Sequence, residues 1–253
     1  MSVNKNPMSA TKKQTSDGAI AKRAGPRRKP APTSEAVSRR QQLRRAQRHL
    51  RKADPVIGAC IDRRPHFDPR AWLDDLPSMD LFGSLIFQIA GQQLSVAATR
   101  RTLERVRSLF DGHLPTPHEL LAVEPAELRA AGFSWRKVST LRDLAERFSD
   151  GRLEIERLKA LPDDEFIAEL TAVPGIGPWT AQGALLVALR REDVVLPGDL
   201  ALRKAVRRVY ELDHLPSEDE VLEIAEAWRP YRSLATSYLF ASAYQAEDVE
   251  GTS

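Results

Sequence analysis

The stretch that most restricts this chain is Val173-Pro-Gly-Ile-Gly-Pro-Trp-Thr-Ala-Gln182. Before it, Asp163-Asp-Glu-Phe-Ile-Ala-Glu-Leu-Thr-Ala172 has the pattern of a helix started by Pro162, with acids in its first turn. The segment Pro174 to Pro178 cannot continue that helix. Its two glycines are free to take positive φ, and its second proline is placed to open another helix. Trp179 to Leu189 then repeats apolar residues at helical spacing. The expectation is helix, tight glycine turn, helix, with the first backbone N–H groups of the second helix facing outwards. Such an end suits a phosphate oxygen, because free N–H groups and the helix dipole both favour negative charge.

The same reading along the rest of the chain gives helices and no strand, so the fold class expected is all-α. Glu35 to Lys52 has helical composition dense in arginine, and Asp54-Pro55 stops it and caps Val56 to Arg63. His66-Phe67-Asp68-Pro69 reads as a loop. Asp80 begins a helix with Leu81, Phe82, Leu85, Ile86 and Ile89 inward, ending at Ala90-Gly-Gln-Gln-Leu94. Ser95 caps the next, to about Phe110, which Asp111-Gly112 closes. Short helices are expected at Pro117–Ala122 and Pro125–Ala131, with Gly132 as C-cap. Ser134 caps a helix through Phe148, and Asp150-Gly151 turns the chain into the glycine hairpin. After the hairpin, Asp199 heads a helix to about Tyr210, Ser217 one to Trp228, and Pro230 one to about Gln245.

Composition narrows the class of function. The 253 residues can bury a full core, and the single cysteine, Cys60, excludes an intramolecular disulfide and a four-cysteine iron–sulfur cluster. No apolar run approaches the ~18 residues of a membrane span, and the polar N-terminus lacks a signal-peptide core, so a soluble intracellular protein is expected. The net charge of +3 conceals an asymmetry. Residues 1–34 hold eight Lys/Arg against one Asp, whereas residues 35–253 hold thirty against thirty-four. The first segment reads as a disordered basic tail, either simply solvated or a salt-sensitive DNA tether. If the body binds DNA, it does so through local features such as helix N-termini and a few arginines. The five histidines have no ligand spacing with Cys or acids, so no catalytic zinc is expected.

Pro174-Gly-Ile-Gly-Pro-Trp-Thr-Ala181, followed by Leu196-Pro-Gly-Asp199 and by Trp228-Arg-Pro-Tyr-Arg-Ser233, resembles the helix-hairpin-helix (HhH-GPD) DNA glycosylases, within them the DNA-3-methyladenine glycosylase II branch. The resemblance covers roughly Leu50 to Gln245. It implies two helical lobes with the active site in the cleft between them, and no N-terminal β domain. The implied bounds are a tail at 1–34, a glycosylase domain at 35–246 and a flexible end at 247–253. Lobe one would be 80–190, and lobe two 35–79 plus 199–246.

The resemblance also implies the chemistry. Asp199 reads alone as a helix N-cap; in the family pattern it is the catalytic carboxylate, and one group can do both. It would stabilise the positive charge that develops on C1′ and the ring oxygen as the N-glycosidic bond of a damaged nucleotide breaks, and orient or deprotonate the attacking water. An N3- or N7-alkylated purine is already cationic and needs no general acid to leave. Members that also cut the backbone carry a lysine after the hairpin. Here Trp179 stands there and no Lys lies between Lys159 and Lys204, so a monofunctional enzyme is implied. Trp179 reads either as a core aromatic or as a wall of the base pocket, where an indole attracts a cationic base. Phe240 falls where the branch can place a second pocket aromatic. Gly183, one turn after Trp179, departs from members with a tyrosine there and implies a roomier or differently lined pocket.

Base flipping requires a wedge, and Gly91-Gln-Gln-Leu-Ser95 is similar to the family's intercalating loop, with Gln93 or Leu94 at its tip. Gly175, Gly177 and Thr180 would meet a phosphate, as would Arg232, which also packs. A structural Na+ or K+ on the backbone of Thr171, Val173 and Ile176 is a family feature; no other cofactor is implied. The implied protein is a monomer at the nucleoid, or in a nucleus if eukaryotic. It would act on duplex DNA to remove 3-methyladenine, with 7-methylguanine as a further candidate lesion. The alternatives are a glycosylase for oxidised or deaminated bases, a non-catalytic helix-hairpin-helix DNA binder, and a basic-tailed scaffold.

Overall fold

The computed structural model describes residues 34–65, 67, 71, 76 and 79–250. The basic tail up to Pro32-Thr33, the loop residues His66, Asp68 and Pro69, and the last three residues lie outside that set. Of the N-terminal unit, Met1–Arg40, only the start of one helix is described; the second unit, Gln41–Ser253, holds all the other elements and both apolar clusters.

Among the described residues every regular element is a helix, as the periodicity predicts. In chain order they are α1 (Ser34–Ala53), α2 (Pro55–Asp62), α3 (Leu81–Gly91), α4 (Val96–Leu109), α5 (Pro117–Ala122), α6 (Pro125–Ala130) and α7 (Trp135–Ser149). Then come α8 (Ile155–Ala160), α9 (Asp163–Thr171), α10 (Pro178–Val187), α11 (Leu200–Val209), α12 (Glu218–Glu226) and α13 (Arg232–Glu250). The caps at Asp54, Asp80, Ser95, Ser134, Asp199 and Ser217 are those expected from the sequence, and Thr116 adds one that was not. Asp54, Asp80, Ser95, Ser134 and Asp199 each accept a backbone N–H of the first turn they head, and Thr116 and Ser217 close full capping boxes. Beyond shifts of a few residues at helix ends, such as Glu226 in place of Trp228 and Glu250 in place of about Gln245, two features differ from expectation. A short α8 fills the segment between the Asp150-Gly151 turn and the hairpin. The last helix starts at Arg232 rather than Pro230, after a turn closed by the Tyr231 N–H on Trp228 O at 2.8 Å.

The apolar stripes assemble into two clusters. The first gathers Leu81, Phe82, Leu85, Ile86 and Ile89 of α3 with Leu141 and Leu144 of α7, Phe166 and Leu170 of α9, and Ala181, Ala184 and Leu185 of α10. The second gathers Leu50, Ile57 and Ile61 with Leu202, Ala205 and Val206 of α11, and with Trp228, Leu234, Tyr238 and Leu239. Its polar centre is Asp54, whose Oδ2 accepts the Trp228 indole N–H at 2.8 Å and the Tyr210 hydroxyl. Burial and the adjacent Asp54 carboxylate push the Tyr210 phenol well above its ordinary value, so it stays a donor at all physiological pH.

Candidate active site

The hairpin between α9 and α10 forms as the glycines demand, but they are used differently. Gly175 has φ +90°, and a Cβ there would lie 2.0 Å from Thr140 Oγ1, so only glycine fits. Gly177 has φ −102° and a Cβ on it would meet nothing within 4 Å. Neither backbone nor packing within the chain requires glycine at 177. α10 begins there with no side-chain cap and with Pro178 at its first turn.

Trp179, the next residue but one, is half-buried against the first cluster and donates its indole N–H to Asp199 Oδ2 at 2.8 Å. Asp199 Oδ1 accepts the Leu202 N–H at 2.8 Å, capping α11. One carboxylate thus joins a helix of the first cluster to a helix of the second. Each oxygen has two acceptor positions, so each retains one beyond these bonds. The carboxylate that caps α11 is thus the one that accepts the Trp179 indole.

The loop that delivers Asp199 is gripped from the Trp228–Ser233 turn. Arg232 Nε donates to Asp193 Oδ1 at 2.8 Å, and a terminal nitrogen donates to the Asp193 carbonyl at 2.6 Å. Ser233 Oγ accepts from Val194 N at 3.0 Å and donates to Arg191 O at 2.7 Å. This revises the expectation for Arg232. Its guanidinium is mostly buried and taken up by Asp193, so it fixes the approach to Asp199 instead of presenting a free cation to phosphate.

Thr180 is revised as well. It is 1% exposed, its N–H goes to Gly177 O at 3.0 Å, and its hydroxyl accepts Gln92 Nε2 at 3.0 Å. The same Gln92 amide reaches Gly175 O at 3.1 Å, stapling the α3–α4 loop to the hairpin. Lys137 Nζ adds a second staple, donating to Ala90 O at 2.9 Å and Gln92 O at 2.8 Å; burial pushes its pKa down. Between these anchors Gln93 is exposed in the left-handed region, φ 58°, and Leu94 is 43% exposed. A non-glycine residue held at positive φ beside an exposed leucine is a strained, projecting tip. Phe240 lies half-buried against the second cluster. Gly183 faces Gln88, whose amide occupies the space a side chain at 183 would need. Gln88 and Lys137 carry no signal in the sequence, and Gln92 is marked there only as part of the loop, because each makes its contact far along the chain.

The profile of the HhH-GPD superfamily of base excision DNA repair proteins matches residues 86–230, more than half of the chain, and the chain belongs to this superfamily. Within it, the chain is 33% identical over 168 residues to the DNA-3-methyladenine glycosylase 1 of Schizosaccharomyces pombe, covering 66% of this chain and 74% of that one. The solved 3-methyladenine DNA glycosylase of the same yeast, in complex with abasic DNA, superimposes with a TM-score of 0.71 at 31% identity, covering 78% of this chain and 95% of the other. A DNA-3-methyladenine glycosidase from Bacillus halodurans gives a TM-score of 0.60 at 30% identity over 77% of this chain and 92% of the other.

Proposed function

We propose that the protein is a monofunctional DNA glycosylase that hydrolyses the N-glycosidic bond of 3-methyladenine in duplex DNA, with Asp199 as its catalytic carboxylate. The observation that carries this is the 2.8 Å bond from Trp179 Nε1 to Asp199 Oδ2, with Oδ1 held by Leu202 N. A carboxylate fixed by two donors beside an aromatic wall needs little reorganisation to face a developing oxocarbenium ion. The names of the relatives support the substrate class.

In this reading the C1′–N bond breaks with its electron pair passing to the cationic base, which leaves neutral. Positive charge spreads over C1′ and the ring oxygen, opposite Asp199. A water attacks C1′, and its proton passes to the carboxylate or to solvent. Gly177 and the uncapped start of α10 take a backbone phosphate, which explains a glycine that the fold itself does not require. Gln93 or Leu94 fills the gap left by the flipped nucleotide. The two clusters correspond to the two lobes, and Trp179 and Phe240 to opposite walls of the base pocket. The Trp179 position holds no amine, so no Schiff base forms and the abasic product stays uncut. Carbonyls of Thr171, Val173 and Ile176 would be neutral hard oxygen donors, a set that suits Na+ or K+. Such an ion would brace the turn; no chemical step passes through it.

The test is single-turnover base release from methylated duplex DNA, with products separated before and after alkali. Wild type should release 3-methyladenine, and strand breaks should appear only after alkali. Asp199→Asn should lose about a hundredfold or more in rate. Tight DNA binding with no base released would reduce the protein to a binder, and breaks without alkali would sink the monofunctional assignment.

A further inference from the structure

Gln88 sits on α3, 5% exposed, and no group among the described residues bonds its carboxamide. Neither amide atom is among the side-chain atoms shut off from solvent without a partner, so the small surface that Gln88 keeps lies at its polar end and is open to a ligand. Its place is specific. The amide lies flat on Gly183 of α10, where a Cβ would come within 2.5 Å of Cδ and Oε1 and 2.9 Å of Nε2. Three residues on, a Cβ at Gly91 would lie 3.9 Å from Trp179 Cη2. Gly183 follows Trp179 by one turn on the same face of α10, so the amide packs one turn along that face from the residue whose indole holds Asp199. A side chain at 183 would displace it. The glycine therefore makes room for a polar group beside the candidate base wall.

Building on the glycosylase reading, we propose that Gln88 is a specificity-determining residue whose carboxamide hydrogen-bonds the edge of the flipped base and favours adenine-type lesions. The amide presents a carbonyl acceptor and N–H donors side by side. That pair complements the amino group at N6 and the ring nitrogen N7 of adenine, the pairing by which Gln reads adenine elsewhere. Methylation at N3 leaves this edge intact. The same edge of 7-methylguanine carries an oxygen and a methylated nitrogen, and the paired bonds are lost. In the free protein the amide has no partner among the described side chains and keeps access to solvent, which the substrate edge would replace.

The experiment is single-turnover release of 3-methyladenine and 7-methylguanine from one methylated duplex by wild type, Gln88→Met and Gly183→Ala, with thermal melts alongside. Met keeps the length and apolar stem but cannot make the bonds, and Ala at 183 pushes the amide aside. The proposal expects wild type to favour 3-methyladenine. Each variant should lower the 3-methyladenine rate about tenfold or more beyond any change for 7-methylguanine, and the double variant should lose no more than either. Equal losses on both bases, or an unchanged ratio, would overturn the role of Gln88 while leaving the glycosylase intact. Should wild type release neither base, the underlying activity fails and this inference with it. If Gln88→Met does not fold, Gly183→Ala alone decides by the same ratio.

Discussion

Asp199 carries two duties on two oxygens, and substitution can separate them. Asparagine is as good an N-cap as aspartate, so Asp199→Asn should melt close to wild type while losing its activity. Asp199→Ala removes the cap too and should cost about 1 kcal/mol of stability as well, measurable by denaturant unfolding. Trp179→Phe keeps an aromatic wall but frees Oδ2, and should slow base release with little change in DNA affinity. Away from the site, Glu220 is held down to about 2 by the Ser217 N–H first and then by His214, and His214 is held above 6.5 by Asp213 first and then by Glu220. The contribution of Glu220 is complete above its ordinary 4.5 and is lost as pH falls towards about 2. The contribution of His214 is complete below 6.5 and is lost as pH rises through its raised value. Glu220→Gln should therefore lower the His214 titration midpoint seen by NMR; an unmoved midpoint would mean that the pair does not form in solution. Asp199 as a helix cap was legible in the sequence itself, whereas its pairing with Trp179 was not, and a chemical role for either came only from the resemblance. Gln88 was not legible, since an unpaired amide becomes visible only once Gly183 is seen against it.

The hairpin and the α3–α4 loop act as one element, stapled by Gln92 and Lys137. Its two glycines separate fold from function. Gly175→Ala forces a side chain to φ +90° against Thr140 and should destabilise by well over 1 kcal/mol. Gly177→Ala meets no atom and no forbidden φ, so its cost should stay at or below about 1 kcal/mol, that of a poorer N-cap. DNA affinity should nevertheless fall for Gly177→Ala, in a filter-binding or anisotropy titration, because the added methyl stands where phosphate approaches. Equal affinity for Gly177→Ala and wild type would remove the phosphate from that helix start. The turn itself could be read from Pro-Gly-Ile-Gly-Pro, since backbone demands are local. Which glycine serves the fold could not, because the answer depends on Thr140, far earlier in the chain. Thr180 and Arg232 show the opposite error: polar residues in the right motif, drawn inward by Gln92 and Asp193.

Across the whole molecule, charge and chemistry are divided. Residues 1–34 hold eight Lys/Arg against one Asp, whereas the rest of the chain holds thirty against thirty-four Asp/Glu. The body has no broad positive field with which to hold a duplex, and its local contacts act only once DNA is seated. A chain starting at Glu35 should therefore bind undamaged duplex more weakly at low salt. Its plot of log affinity against log salt should be shallower, by about 0.9 for each phosphate contact the tail makes. Single-turnover base release at saturating DNA should remain at the wild-type rate, because Asp199, Trp179 and their supports all lie beyond residue 87. The two measurements pull apart the two roles: a lower slope with an unchanged rate makes the tail a tether, whereas an unchanged slope leaves it a solvated extension and requires the body's helix starts to supply all the affinity. A fall in the saturated rate would instead mean that the tail reaches the reacting nucleotide.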